Sequence, residues 1–405
     1  MSTPFYDLAS LVVVPSGYKA SKVYAQKPLT TDGQLAFTRS TTATRVNASG
    51  LIEEVASNVP RLDYLGSSCP RLLLEPQRTN IQIYSEQFDN AAWTKRSNIA
   101  VTSNAITAPD GTLSADKIAA SDNASVDYGV FDFNTSGLYT YSVFAKKGEL
   151  NYVFVGKDNT LTSDGVYFNL NTGEISSNPS SYSATITDYG DGWYRCSVYF
   201  ATNVSYFFIN PSVNGTSFVF SGQSGNGIYI WGAQAEVGAY PTSYVKTEAA
   251  AVTRLADACS KTGISTLIGQ TQGTIFVEFN SSNVVGVDNV VFGLSTGSAL
   301  NRIIIFFGLN VSAQVRTAGV VQGTIIGPAS TANTNYKCAL AYKANDLAFY
   351  VNGVLVGTDT SATIPANSGV RFDGGAGASN CDVPISQALV FKTRLSNSDL
   401  AALTA

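Results

Sequence analysis

Histidine is absent from this 405-residue chain, and that count decides most of the chemistry open to it. Without imidazole there is no Ser-His-Asp or Cys-His nucleophile, no HExxH metal site and no histidine general acid-base catalysis. Five cysteines, Cys69, Cys196, Cys259, Cys338 and Cys381, are scattered without a CxxC pair. An odd total at such spacing favours buried free thiols over a disulfide framework or a metal cluster. Gly374-Gly375-Ala376-Gly377 lacks the Lys-Ser/Thr of a phosphate loop and is expected to be an ordinary loop. What survives is glycoside hydrolysis, which needs only two carboxyl groups flanking a sugar bond. The stretch 274–280 offers Glu278 alone, while Glu174, Asp188, Asp191 and Glu236 are scattered among turns and strand ends, where solvated or turn-forming roles prevail. The residues therefore assign no catalytic group and no metal ligand.

Aromatic rings are the other route to a sugar, by stacking. Trp93, Trp193 and Trp231 are the three tryptophans, and an aromatic among strand residues is more often core than platform. Trp193 follows the Gly190-Asp191-Gly192 turn and starts a strand, and Trp231 lies within IYIWGAQAEV. Tyr182 and Tyr240 lie in or beside loops and are better placed. Tyr182, Tyr240 and Trp193 make up the candidate ligand-contacting set.

The elements that must carry these side chains are strands. Hydrophobic residues make up 44% of the chain and charged ones 13%, with 21 Tyr, 21 Phe and 35 Gly. Disorder needs the opposite balance, and aromatic and β-branched residues punctuated by Gly, Asn, Asp and Ser predict an all-β protein. A net charge of −4 without a Lys/Arg-rich run gives no footprint for nucleic acid. No apolar run is long enough to insert in a membrane, and the opening MSTPFYDLASLVVVPSGYK lacks the basic start and apolar core of a secretory signal, so synthesis in a cytoplasm is expected.

At this length two or three domains are expected. Residues 1–80 contain short apolar runs at 11–14, 51–55 and 72–74 between polar spacers. They predict an irregular arm with a few short strands, either folded onto its own chain or ordered against sister subunits. Within it CPRLLLEPQRTN sets Leu72 to Leu74 between Pro70 and Pro76, which predicts at most a short edge strand or an anchoring tether. Over 81–247, strands predicted at 81–84, 127–133, 138–146, 152–156, 165–169, 182–189, 193–201, 206–210 and 227–237 alternate with turns such as Asn171-Thr172-Gly173, the pattern of a sandwich or jelly roll. An Ala-rich linker is placed at 248–269. Over 270–405, Ile275, Val277 and Phe279 alternate with Phe276 and Glu278, 302–307 is an apolar run, and DLAFYVNGVLVGTD joins two strands through Asn352-Gly353, a type I′ hairpin pair. Ser396 with Asp399 can cap a terminal helix.

The phrases NVPRLDY, CPRLLLEPQRTN, NIQIYSEQFDNAAWTK, TAPDGTLSADK, GDGWYRCSV and YIWGAQAEVGAYPTSYV resemble those of tailed-bacteriophage structural proteins of the fibre, spike or receptor-binding type. Residues 81–247 are similar to the jelly-roll modules of carbohydrate-binding families. YKCALAYKANDLAFYVNGVLVG in 270–405 looks like a laminin G or concanavalin-like lectin sandwich. The resemblance implies a non-enzymatic virion component, a head or tail fibre or spike, displaying two tandem β-sandwich domains for host-surface glycan recognition. It also implies a homotrimer located in the virion and joined to other virion proteins through residues 1–80. The alternatives are a capsid decoration or cementing protein without sugar binding, and a polysaccharide depolymerase with paired carboxylates. Jelly rolls of this kind often hold a structural calcium; there is no DxDxDG loop, and no residue is assigned to one. No other cofactor is implied.

Overall fold

The computed structural model describes residues 3–96, 98–121, 125–127, 130–133, 138–157, 162–201, 206–221, 224–281, 289–372 and 383–405. Cys381 and the Gly374–Gly377 loop lie outside them. The architecture is all-β, with two short helices, Thr3–Leu8 and Asn397–Thr404, at the chain ends.

Residues 94–237 build one sandwich from two six-stranded antiparallel sheets. One runs in the order Thr94–Lys95, Val130–Phe133, Tyr206–Ser212, Tyr152–Gly156, Gly165–Asn169, Glu174–Ser177; the other Ile99–Thr107, Leu113–Ala120, Gly227–Val237, Tyr139–Lys147, Trp193–Phe200, Ser183–Asp188. Alternation turns Tyr141, Val143, Val153, Val155, Val166, Phe168, Val198, Phe207 and Ile209 into a shared core, where the Tyr141 and Phe207 rings stack at 4.4 Å. The strands expected at 152–156, 165–169 and 227–237 are found at those positions. Residues 81–84 form no strand, and the pair Ile99–Thr107 and Leu113–Ala120 carried too little apolar alternation to be read from sequence.

The second sandwich takes strands from both ends of the chain. Its eight-stranded sheet orders Val354–Asp359, Asp346–Val351, Thr334–Lys343, Gln272–Ser281, Val383–Phe391, Arg71–Leu74 and Arg61–Asp63, with Leu11–Val13 also on Val383–Phe391. Its nine-stranded sheet orders Tyr18–Lys19, Lys22–Tyr24, Gln34–Thr38, Ala258–Thr262, Gly369–Arg371, Asn289–Ser295, Arg302–Phe307, Asn310–Thr317 and Val320–Ala329. Leu11, Val23, Leu35, Phe37, Leu72 and Leu74 share one core with Ile275, Val277, Phe279, Ile303, Ile305 and Phe349.

This corrects the division into an arm at 1–80, a linker at 248–269 and a sandwich confined to 270–405. The apolar runs of the leader are largely covered within the chain: Leu11, Val12, Val13 and Leu72 are fully buried and Ile52 and Val55 nearly so, while Leu51 stays exposed. Leu11 pairs with Val390, Leu72 with Ile385 and Cys259 with Phe37. Strands this short show no periodicity of their own, and their partners are distant in sequence. Arg71–Leu74 is an interior strand, paired on both sides, because Pro70 and Pro76 stand just outside the paired residues, where a missing N–H removes no ladder bond. A two-stranded ribbon, Arg78–Asn80 with Val252–Arg254, sets Asn80 opposite Val252. The first sandwich is thus inserted into the second through adjacent chain ends, the geometry that insertion requires.

In the second sandwich Asn352 and Gly353 both have positive φ (47° and 81°) at the hairpin between Asp346–Val351 and Val354–Asp359, as a type I′ turn demands. Ser396 Oγ accepts from the Asp399 N–H at 3.1 Å and caps the terminal helix. That helix packs Leu400 and Leu403 beside Phe276, on the sheet face opposite Ile275, Val277 and Phe279.

Residues 81–247 alone are expected to unfold cooperatively. Residues 270–405 alone, stripped of Leu11–Val13, Arg71–Leu74, Gln34–Thr38 and Ala258–Thr262, are expected to be insoluble or molten, whereas a chain joining residues 1–79 to 251–405 folds. Circular dichroism with thermal melting of the three fragments checks this, and a well-folded 270–405 fragment contradicts it. Gly353→Val is expected to cost about 1–2 kcal/mol, since each L-residue forced into the left-handed region costs roughly that much, read as a shift in the denaturant midpoint.

Candidate functional site: a cleft at the junction of the two sandwiches

The junction is built on charge. Arg61 Nη1 donates to Glu75 Oε2 at 2.5 Å, and its Nη2 meets Asp257 Oδ2. Arg39 Nη1 donates to Asp257 Oδ1 at 2.9 Å, and Arg254 Nη1 lies 2.8 Å from Glu75 Oε2. All five side chains are almost wholly buried. Backbone and hydroxyl donors complete the set: the Glu75 N–H on Asp257 Oδ2 at 2.9 Å, and the Ser243 N–H and Oγ on Glu75, both at 2.6 Å. Burial alone would raise the Glu75 carboxyl, but the Arg254 and Arg61 guanidinium groups and the Ser243 donors hold it well below the usual carboxylate range. Beside this cluster Asn80 uses its whole amide: Nδ2 donates to the Ala233 and Val245 carbonyls, and Oδ1 accepts from the Gln82 and Ala235 N–H groups.

The hairpin of Ala43–Val46 and Ile52–Val55 reaches from the leader onto the inserted sandwich. Val46 and Ile52 pack with Phe144, Trp193, Trp231 and Tyr244 on the outer face of its sheet. Among this hairpin, the strand Ser183–Asp188 and the second sandwich lies a cleft of about 440 Å³, within the range of small-ligand sites. Thr185, Asp188, Tyr189, Arg71, Asn280 and Asn333 are among its walls, with Asp63, Glu75 and Arg195 also lining it.

The carboxylates at the cleft are already engaged. Asp63 Oδ1 accepts from the Val46 N–H at 2.8 Å and Oδ2 from the Leu65 N–H at 3.0 Å, while burial pushes its carboxyl up. Asp188 is exposed, and its Oδ1 accepts from the Gly190 N–H at 2.7 Å, as a turn residue does. Of the acids weighed from sequence, Glu236 is buried and accepts from Gln234 Nε2 and from the Thr242 N–H and Oγ1. Glu278 accepts from Asn335 Nδ2 and Gln387 Nε2. Asp191 pairs with Lys146 at 3.0 Å, and Glu174 is exposed on its strand. No two of these acids converge on the cleft as a free pair. Among the described residues no group of three Cys, Asp or Glu side chains could hold a metal ion. Cys196 and Cys338 are buried free thiols, Cys259 is buried, and Cys69 is exposed. Among the described residues no helix is long and apolar enough to cross a membrane.

The three candidate aromatics are not brought together. Trp193 is buried, its Nε1 donating to the Thr107 carbonyl at 3.2 Å, so neither ring face is open. Tyr240 is buried beneath the Arg78 guanidinium, 5.2 Å from its ring centroid. Tyr182 is half-buried, edge-on to Phe200 at 4.9 Å, with Lys157 Nζ 5.6 Å from its centroid. None of Trp193, Tyr240 and Tyr182 lines the cleft; the aromatic walls there are Tyr189 and Tyr244. Tyr189 is half-exposed, with its ring edge-on to Phe144 at 4.8 Å. Its position, just before the Gly190-Asp191-Gly192 turn at a strand end, was the available signal; the facing wall from the leader was invisible.

No protein-family model matches the chain, and no curated protein matches it. Solved structures match over part of it. The CBM40 of Ruminococcus gnavus IT-sialidase, bound to α2,3 sialyllactose, is 19% identical over 35% of this chain and 86% of its own, with a TM-score of 0.30. The botulinum neurotoxin serotype D binding domain is 11% identical over 36% of this chain and 40% of its own, at 0.31. Domain 4 of AbnA, a GH43 arabinanase from Geobacillus stearothermophilus, in complex with arabinotriose, is 13% identical over 42% and 84%, at 0.29.

Removing one member of a buried, hydrogen-bonded ion cluster strands the others. Glu75→Gln and Arg61→Met are each expected to cost about 3–5 kcal/mol in chemical denaturation. The folded-state pKa of Glu75 is depressed, so its stabilisation is complete above roughly pH 5 and lost as pH falls through the ordinary carboxylate range and below. The acid limb of the stability-pH curve should therefore flatten in Glu75→Gln, and an unchanged limb contradicts the assignment.

Proposed function

We propose that this chain is a non-enzymatic glycan-recognising component of a bacteriophage virion, a fibre or spike subunit that binds host-surface saccharide in the cleft between its two sandwiches. The observation that carries the binding reading is the cleft itself: about 440 Å³, walled by Tyr189, Asn280, Asn333 and Thr185, with its buried acids already spent on structural donors. Saccharides are held by side-chain amides and hydroxyls around an aromatic wall, and that is what these residues supply. Each oxygen of Asp63 accepts a backbone N–H and the Asp188 carboxyl closes its own turn, structural roles that speak for a binder over a depolymerase with paired acids. The virion setting rests on the phrases between NVPRLDY and YIWGAQAEVGAYPTSYV. The homotrimer and the attachment through the leader rest on that resemblance too.

The full-length protein is expected to bind a subset of host-surface oligosaccharides on a glycan array without shortening them. Tyr189→Ala should weaken binding about tenfold, the worth of a lost stacking contact in a partly desolvated site, and also lower the melting temperature, because the ring packs on Phe144; retained β-rich circular dichroism at the assay temperature separates the two effects. Mass spectrometry of purified particles should find the polypeptide. Its absence from particles removes the virion reading, and shortened saccharide removes the non-enzymatic one. A blank array with particles that fall apart in its absence leaves a cementing protein instead.

A further inference from the structure

Val320–Ala329 terminates the nine-stranded sheet, and Val354–Asp359 terminates the eight-stranded sheet that faces it. The two strands lie against each other: a Cβ on Gly357 would sit 2.9 Å from Ile325 Cγ2. Natural sheets guard such ends with charge, proline or bulges. Of the strands that end the four large sheets, Tyr18–Lys19, Arg61–Asp63, Thr94–Lys95, Glu174–Ser177, Ser183–Asp188 and Val354–Asp359 each hold a charged residue. Ile99–Thr107 holds none, and exposes Ala100, Thr102, Ser103 and Asn104. Val320–Ala329 also holds none, yet it exposes Val320, Val321 and Ile326, the first and last by 61% and 69%. Leu300, Leu309, Val354 and Leu355 are exposed around it. The Gly319 N–H donates to the Leu300 carbonyl at 2.9 Å at one end of the strand, and the Ser330 N–H to the Leu309 carbonyl at 2.8 Å at the other. None of these apolar side chains lines the cleft.

The same stretch is depleted of charge. From Ile303 to Tyr336 Arg316 is the single charged residue, in a chain where charged residues make up 13%. Charge depletion marks the centre of a protein interface, and it also selects the occupant. A strongly charged partner would find one charge to answer, whereas a second copy brings the same neutral apolar surface. The area is sufficient. Ten residues at about 3.3 Å each, on two sheets about 10 Å apart with their outward side chains, give an edge of roughly 650 Å². One partner in a standard interface contributes about 800 Å². Pro328 and the register shifts against Asn310–Thr317 bend the strand, which disfavours regular strand addition and leaves side-chain packing as the mode of contact.

We propose that copies of this chain join along this edge, with Val320, Val321, Ile326, Val354 and Leu355 of each subunit packed against the next. Closed cyclic symmetry lets one patch serve every subunit. The number of copies rests on the homotrimer reading above; the surface does not. Self-association is thereby placed on the second sandwich and not on the leader, whose strands Leu11–Val13 and Arg71–Leu74 are already paired within their own chain.

The test is sedimentation velocity on the full chain over a range of about 1 to about 50 µM, since association follows mass action. The unaltered chain is expected to sediment as an oligomer, and Ile326→Lys as the 42.8 kDa monomer. An unpaired ammonium buried in each contact should weaken association at least about tenfold. Val320→Glu should do the same from the other end of the strand. Leu113→Lys, which alters an equally exposed leucine of the inserted sandwich, should leave the mass unchanged. All three are expected to keep β-rich circular dichroism, because each side chain stands in solvent within its own subunit. A monomeric unaltered chain overturns the inference, and so does an oligomer that both edge variants leave intact. An oligomer of two or four copies that the edge variants split supports the surface while removing the homotrimer.

Discussion

The position of every wall of the cleft depends on the buried cluster of Arg39, Arg61, Arg254, Glu75 and Asp257. Arg61 belongs to a strand of the eight-stranded sheet, Glu75 follows the next strand of that sheet, and Asp257 immediately precedes Ala258–Thr262 of the nine-stranded sheet. Arg254 comes from the ribbon through which the inserted sandwich enters, and Ser243, from beyond the last strand of that sandwich, donates to Glu75. Apolar packing is non-directional and tolerates sliding, whereas a charged cluster desolvated at this cost has few arrangements in which its donors and acceptors meet. The cluster therefore specifies orientation more than it adds stability.

The same desolvation sets the state of the buried carboxyls at the cleft. A general acid needs a carboxyl whose proton can reach a ligand. Glu75 is held ionised by two guanidinium groups, and Asp63 is closed off by two backbone donors. Among the described residues of the inserted sandwich, one carboxyl is raised: burial pushes Asp116 up to about 6. It accepts from the Phe88 and Asn104 N–H groups, however, and pins the 84–104 segment to its sheet, away from the cleft. The shifted carboxyl here marks a chain crossing.

How much of this was legible in the sequence follows from the range of each interaction. Strands paired with near neighbours, such as Arg302–Phe307 and the Asn352-Gly353 hairpin, show themselves through local alternation and turn chemistry. The inserted sandwich was legible for the same reason. The leader was not, because Leu11–Val13 and Arg71–Leu74 are three and four residues long and become strands by pairing with Val383–Phe391. The cleft was invisible as a consequence, since one of its walls is built from that leader. The burial of Trp193 followed from its strand position, but Tyr189 as an aromatic wall required knowing that the 43–55 hairpin lies across the same sheet. Arg61, Glu75 and Asp257 each look like ordinary solvated charges in the sequence; only their convergence makes them a cluster.

The mode of insertion bears on how the cleft can recognise a ligand. A sandwich joined by one flexible linker would swing, and a ligand bridging two such modules would bear the ordering cost on binding. Here two chain crossings are hydrogen-bonded to each other in the Arg78–Asn80 and Val252–Arg254 ribbon. Asn80 fixes the first crossing to the inserted sheet through Ala233 and Ala235, and Thr44 Oγ1 donates to the Tyr244 carbonyl at 2.6 Å from the hairpin side. Three separate attachments oppose rotation about any single axis. The cleft between them is held from three sides, so a ligand in the proposed site would meet polar groups that need no further ordering.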